Sequence, residues 1–138
     1  MIALTRRYRF PAAHVLSHPA LSVADNARIY GKCANPAGHG HDYGLEVTVA
    51  GEIDPATGQI IERERLDALV AQRVLDRFGH CLLNDDPAFA SRVPTAENIA
   101  LAIEALLGPA VASQPGARLL RVRLEETRKN SFETGEPR

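Results

Sequence analysis

An α+β fold, an antiparallel sheet with two helices packed on one face, is what the pattern of this 138-residue chain predicts. Three observations carry the prediction. Apolar and polar residues alternate in three segments, as they do in half-buried strands. Two other segments switch to a helical stripe of leucine, isoleucine and valine. The resulting order, β, β, β, α, α, β, has hairpins in place of regular βαβ units.

In residues 5–14, Tyr8, Phe10, Ala12 and His14 share one phase and Arg7 and Arg9 the other. One face of this strand is therefore buried, and Pro11 marks an edge position or a bulge. Residues 15–38 show neither period and contain two Pro and two Gly, which reads as a long functional loop or lid. Alternation returns in residues 40–53, with His41, Tyr43, Leu45, Val47 and Val49 in phase. Asp54-Pro55-Ala56-Thr57-Gly58 then reads as a turn leading to a short strand over residues 59–61.

Residues 63–78 carry the first helical stripe, through Leu66, Leu69, Val70, Val74, Leu75 and Phe78, and Gly79 suits a left-handed cap. Thr95 is a good N-cap for a second helix over residues 96–111, where Ile99, Ala102, Ile103, Leu106 and Leu107 make the apolar face. Gly108-Pro109 should stop or kink that helix. In the last strand, residues 118–127, Leu120, Val122, Leu124 and Glu126 oppose Arg121, Arg123 and Glu125. The whole of residues 1–138 reads as one domain.

Composition excludes several classes. Sixteen basic against 17 acidic residues give a net charge of −1, which favours neither nucleic acid nor a membrane surface. No apolar run approaches the roughly 20 residues of a membrane span. The N-terminus has no signal-peptide core, and two cysteines fit a reducing compartment, so a cytoplasmic protein is expected. Five histidines and two cysteines nevertheless stand beside no Trp and one Met.

Spacing gives those side chains candidate roles. In His39-Gly40-His41 the two imidazoles point to the same side of an extended chain, and Gly40 allows close approach. With His14 at the end of another strand, three histidines and an open position would match a catalytic zinc site; the same spacing also suits an exposed loop pair. Cys33 could be a thiolate base or nucleophile, a zinc ligand, or a small buried hydrophobe. Glu126 sits in the inward phase of an apolar strand, either as a pocket carboxylate able to grip an N–C–N edge or solvated past the strand end. His80 follows the first helix as a general acid or base, or as a residue favoured by the helix dipole.

Taken in order, several short motifs resemble the 6-pyruvoyltetrahydropterin and 6-carboxytetrahydropterin synthase family. They are Phe10-Pro11-Ala12-Ala13-His14, residues 31–43 from Gly31-Lys32-Cys33 through His39-Gly40-His41-Asp42-Tyr43, residues 75–85 around Gly79-His80-Cys81, Pro94-Thr95-Ala96-Glu97-Asn98, and Glu126-Thr127. The resemblance implies the tunnelling fold, a four-stranded antiparallel sheet backed by two helices that closes into barrels as a hexamer of two trimers. It implies zinc held by His14, His39 and His41, Cys33 as the proton-abstracting base, and His80 as a second proton-transfer group. Glu126 would anchor a pterin ring, with Thr95 also in the substrate site. The implied substrate is 7,8-dihydroneopterin triphosphate, which loses triphosphate to give the pyruvoyl product of tetrahydrobiopterin-type routes or the carboxy product of queuosine-type routes. The five-residue gap between Cys33 and His39 is similar to that of the pyruvoyl-type enzymes.

One position departs from the family. Gly79 stands where an Asp usually precedes the catalytic histidine, a carboxylate that would orient the imidazole. Either Asp76, Asp85 or Asp42 substitutes, or turnover is weakened and the chain is a pterin-binding homologue.

Overall fold

The computed structural model describes residues 1–136. Four strands form one antiparallel sheet in the order β1-β2-β3-β4: β1 Ile2–His14, β2 His39–Gly51, β3 Ala117–Thr127 and β4 Asn130–Glu133. Among the described residues the longer helices are α1 Val23–Tyr30, α2 over residues 63–78 and α3 Ala96–Ala112. Helices α2 and α3 cover one face of the sheet, and Leu45, Val47, Val122 and Leu124 meet Leu66, Val74, Phe78, Ile99, Ile103 and Leu107 in a single apolar core. None of the helices among the described residues is long and apolar enough to cross a membrane.

The alternating segments became strands because one phase finds this core and the other finds water. Strand β1 is an edge strand, which accommodates Pro11, paired with Asp42 across the β1–β2 ladder. On the opposite face of the sheet the outward phase builds a charged row. Arg7, Glu46, Arg123 and Glu133 stand in register across all four strands, with contacts of 3.8, 2.6 and 3.6 Å between successive neighbours.

Four expectations are corrected. Residues 59–61 form bends and no strand; Ile60 and Ile61 are both buried as consecutive residues, which a strand with one wet face does not allow. The fourth strand is instead Asn130–Glu133, a short polar segment with no apolar alternation to betray it. Residues 15–38 are not one irregular loop: Ser22 caps helix α1 by accepting from the Asp25 N–H at 3.0 Å, and a 3₁₀ turn, Gly31–Ala34, follows. Finally, α3, Ala96–Ala112, fills the expected span of residues 96–111 and does not stop at Pro109. Gly108 has no Cβ to crowd the proline ring, and Ala110 and Val111 are drawn into the core beyond it.

Helix α2 contains a local widening, with Arg63–Val70 and Asp76–Phe78 α-helical and Ala71–Leu75 a π-helical turn. Its end also differs from expectation. Gly79 is extended, at φ −62° and ψ 134°, and His80 takes the left-handed conformation with φ 59°. A Cβ built on Gly79 would lie 2.5 Å from the Leu75 carbonyl oxygen, which already accepts the Gly79 N–H at 2.9 Å. Gly79 is thus needed for close approach. Gly79→Asp is expected to lower the unfolding free energy by about 1–3 kcal/mol, read from denaturant titration, as forced overpacking does elsewhere. A neutral effect would show that this helix end yields easily.

Candidate metal and active site

The site lies where β1 and β2 end side by side. Antiparallel pairing sets His14 opposite His39 and Ala12 opposite His41, so the inward phases of two strands deliver three imidazoles to one place. The His14 and His41 ring centroids are 4.9 Å apart, and those of His39 and His41 are 4.6 Å apart. Cys33 enters from the 3₁₀ turn after α1, its carbonyl accepting the Leu16 N–H at 2.6 Å, which ties that turn to the chain just beyond His14.

The ligand atoms of His14, Cys33 and His41 all lie within 4.8 Å of one another, and Cys33 Sγ is 3.9 Å from His41 Nε2. Two ligands of a tetrahedral zinc ion stand roughly 3.3–3.8 Å apart, given bonds of about 2.0–2.3 Å. The three donors thus need only a small contraction to share one ion. His39 stands beside this set through its ring contact with His41.

His14 makes the strongest case for a cation. It is fully buried, and its Nδ1 lies 2.9 Å from the Pro94 carbonyl oxygen and 3.3 Å from the Tyr43 hydroxyl. A carbonyl only accepts, so Nδ1 carries the proton and Nε2 carries the lone pair. That Nε2 is buried without a hydrogen-bond partner among the described residues. A buried nitrogen lone pair with no donor, on a ring whose other nitrogen is anchored to a carbonyl, is the arrangement of a metal-ligating histidine.

The electrostatics agree. Burial lowers the His14 pKa, with proximity to His39 adding to the effect, and lowers that of His41 to about 4 with help from both neighbours, so both rings are neutral donors at pH 7. Burial raises the Cys33 thiol, and the Glu126 carboxylate raises it further.

Glu126 lies one residue beyond the Gly44–Glu125 pair, at the irregularity between β3 and β4. It is half-buried in the same site: burial first, then Glu97, raise its pKa, while His39 opposes them. Thr95 caps α3, its Oγ1 accepting the Asn98 N–H at 3.3 Å. His80 is exposed on the outer edge of β1, and with Pro11, Ala13, Cys81 and the site residue His41 it lines an open pocket of ≈ 490 Å³. Among the described residues no carboxylate is hydrogen-bonded to its ring; Asp42, which lines the same pocket, is engaged by Arg9 at 3.1 Å. His18 belongs to the α1 approach, where its Nδ1 accepts the Ala20 N–H.

Sequence reasoning missed three participants. Tyr43, fully buried, stacks on Phe10 at 5.2 Å and reaches His14; its place in the His39-His41 phase was the available signal. The Pro94 carbonyl and Glu97 come from the start of α3, and nothing local links Pro94 to His14, 80 positions earlier, or Glu97 to Glu126, later in the chain.

Known proteins share the sequence and the fold of this chain. A family model described as 6-pyruvoyl tetrahydropterin synthase matches residues 3–137. Proteins named 6-pyruvoyl tetrahydrobiopterin synthase from Pongo abelii and Homo sapiens are 40% and 39% identical over 128 residues, each covering 92% of this chain and 86% of the relative. The solved structure of Caenorhabditis elegans 6-pyruvoyl tetrahydropterin synthase superposes with a TM-score of 0.83 at 33% identity, covering 99% of this chain and 96% of that one. The Plasmodium falciparum 6-pyruvoyl tetrahydropterin synthase, at 13% identity and a TM-score of 0.66, shares the same tunnelling fold. This chain belongs to the 6-pyruvoyl tetrahydropterin synthase family.

Proposed function

We propose that the protein is a zinc-dependent carbon–oxygen lyase that converts 7,8-dihydroneopterin triphosphate to 6-pyruvoyl-tetrahydropterin with loss of triphosphate. The observation that carries this reading is the buried lone pair of His14 facing His41 and Cys33, next to a half-buried Glu126. The names of the relatives support the pyruvoyl product. His14, His39 and His41 are proposed as ligands. When bound, zinc supplies positive charge at the oxygens of the substrate side chain and draws the Cys33 thiol towards thiolate.

The protein's own groups do the rest. Glu126 accepts two N–H groups from the pterin N–C–N edge, and Thr95, whose oxygen already accepts from Asn98, keeps its O–H to donate to the ring. This orients the side chain across Cys33. Cys33 takes a carbon-bound proton, tautomerisation reduces the pterin ring, and the triphosphate departs with the electron pair of its C–O bond. His80 is proposed as the second proton-transfer group. Its place on the outer edge of β1 fits a site completed by neighbouring subunits of a hexamer, with residues 1–138 acting as one cytoplasmic domain.

Mass spectrometry of products formed from dihydroneopterin triphosphate by zinc-loaded protein tests the reaction. The pyruvoyl product with released triphosphate is expected. The carboxy product with acetaldehyde would move the chain to the other branch of the resemblance. The exposed His80 and the unsubstituted Gly79 favour a second reading, a pterin-binding protein of low turnover, which predicts pterin retention with no triphosphate release.

Glu126 gives a separate test. Because burial raises its pKa, folded protein holds this proton more tightly than the unfolded chain does. The side chain therefore costs nothing at low pH and destabilises as pH rises through its raised pKa. Glu126→Gln should raise the melting temperature of metal-free protein at pH 7, have little effect at pH 4, and weaken pterin binding at least tenfold. Unchanged pterin affinity would remove Glu126 from the anchor role.

A further inference from the structure

The geometry points to Asn84 as a positioning residue for the metal cluster, acting on His14 through the backbone of Val15; this rests on the proposed cluster of His14, Cys33 and His41. The outer edge of β1 is bare towards its start but covered towards its end. There the His80 N–H donates to the Pro11 carbonyl at 2.6 Å, the Ala13 N–H donates to the Cys81 carbonyl at 2.9 Å, and Ala13 pairs with Leu82 in a parallel bridge. The following contact in this ladder is made by a side chain. Asn84 Oδ1 accepts the Val15 N–H at 2.8 Å, and Asn84 Nδ2 donates to the Val15 carbonyl at 2.8 Å.

A carboxamide carries one acceptor and one donor in a plane, as a peptide group does, so Asn84 continues the strand pairing by one residue after the partner backbone has turned away. It does so at the residue immediately after His14, where β1 leaves the sheet. His14 is then fixed from two sides: its ring by Pro94 and Tyr43, its main chain by Asn84. Without the second hold, Val15 is tied only through its neighbours, the His14–His39 pairing and the Leu16 N–H bond to the Cys33 carbonyl, and the Nε2 lone pair is held less tightly in its direction toward Cys33 and His41. Asn84 touches neither the cluster nor the proposed substrate groups, and the exposed position gives it no part in the core.

Asn84→Asp is the informative change, since a carboxylate keeps the Val15 N–H bond but sets a second acceptor against the Val15 carbonyl. Metal-free parent and variant are titrated with Co(II), followed by its visible ligand-field absorption, with thermal melting of both metal-free proteins alongside. Supporting partners of metal ligands typically contribute about 10–100-fold in affinity. The expected result is Co(II) binding weakened about tenfold with an altered ligand-field spectrum, and melting temperatures within a few degrees. Equal affinity and an identical spectrum for Asn84→Asp would overturn the assignment while leaving the cluster intact. A parent protein that binds no Co(II) would overturn both. If Asn84→Asp fails to fold, Asn84→Ser, too short to reach both Val15 groups, replaces it in the same comparison.

Discussion

His14→Ala is expected to remove metal binding and turnover together. A complete structural zinc site contributes about 10–16 kcal/mol of binding free energy, so one of four ligands accounts for roughly 3 kcal/mol, about a hundredfold in affinity. The loss at this position should be at least that large. The ring is the most buried member of the cluster and the one with an orphaned lone pair. Metal content after dialysis, and competition with a chelator of known affinity, measure it. Some folding stability goes as well, because the buried Tyr43 hydroxyl and Pro94 carbonyl lose a partner, at about 1–3 kcal/mol. Retention of metal at parental affinity would refute the ligand assignment. The same titration on His39→Ala decides the third ligand: loss of metal places His39 in the set, whereas full retention leaves it to Cys33, whose Sγ lies 3.9 Å from His41 Nε2.

Cys33→Ser should reduce kcat by roughly 10²–10⁴-fold, the range lost when a positioned general base is removed. Serine preserves size and hydrogen bonding but does not ionise under these conditions. If Cys33 is the base, the variant binds zinc and pterin as the parent does, and only the chemical step fails. Simultaneous loss of metal would make Cys33 a ligand and require another base. Activity within a factor of a few of the parent would exclude both roles. The pH profile adds a further readout. Burial and Glu126 both raise the thiol in the metal-free protein, so thiol alkylation without metal should be slow at neutral pH.

How much of this was legible before folding depends on the length scale of each signal. The pairing of His39 with His41 follows from a two-residue period, and α2 from its stripe, so both could be read locally. Glu126 could also be flagged, because a carboxylate in an apolar phase contradicts its neighbours. Other features required the three-dimensional chain. Cys33 joins His41 only because residues 15–38 fold into α1 and a 3₁₀ turn, and helix α1 buries no residue that could have revealed it. Strand β4 has four residues and no apolar alternation; its evidence is the ladder it makes with β3. At the end of α2, glycine was the natural candidate for positive φ, but the close Leu75 carbonyl claims Gly79 and His80 takes the left-handed turn. Local propensity there yields to a packing contact.

The π-helical turn of α2 has a consequence for insertions and deletions. Each residue of an α-helix advances the chain by about 100° around the axis. The wide turn at Ala71–Leu75 acts as a phase adjustment, letting Leu66, Leu69 and Val70 before it and Phe78 after it face one core. Deleting a single residue there would restore a regular helix and keep Phe78 near its present phase, because the wide turn holds one residue more than a regular helix would. A further insertion, which the turn does not absorb, would rotate everything downstream by about 100°. Phe78 would then swing out, the segment from His80 to Asn84 would leave the edge of β1, and His14 would lose that support.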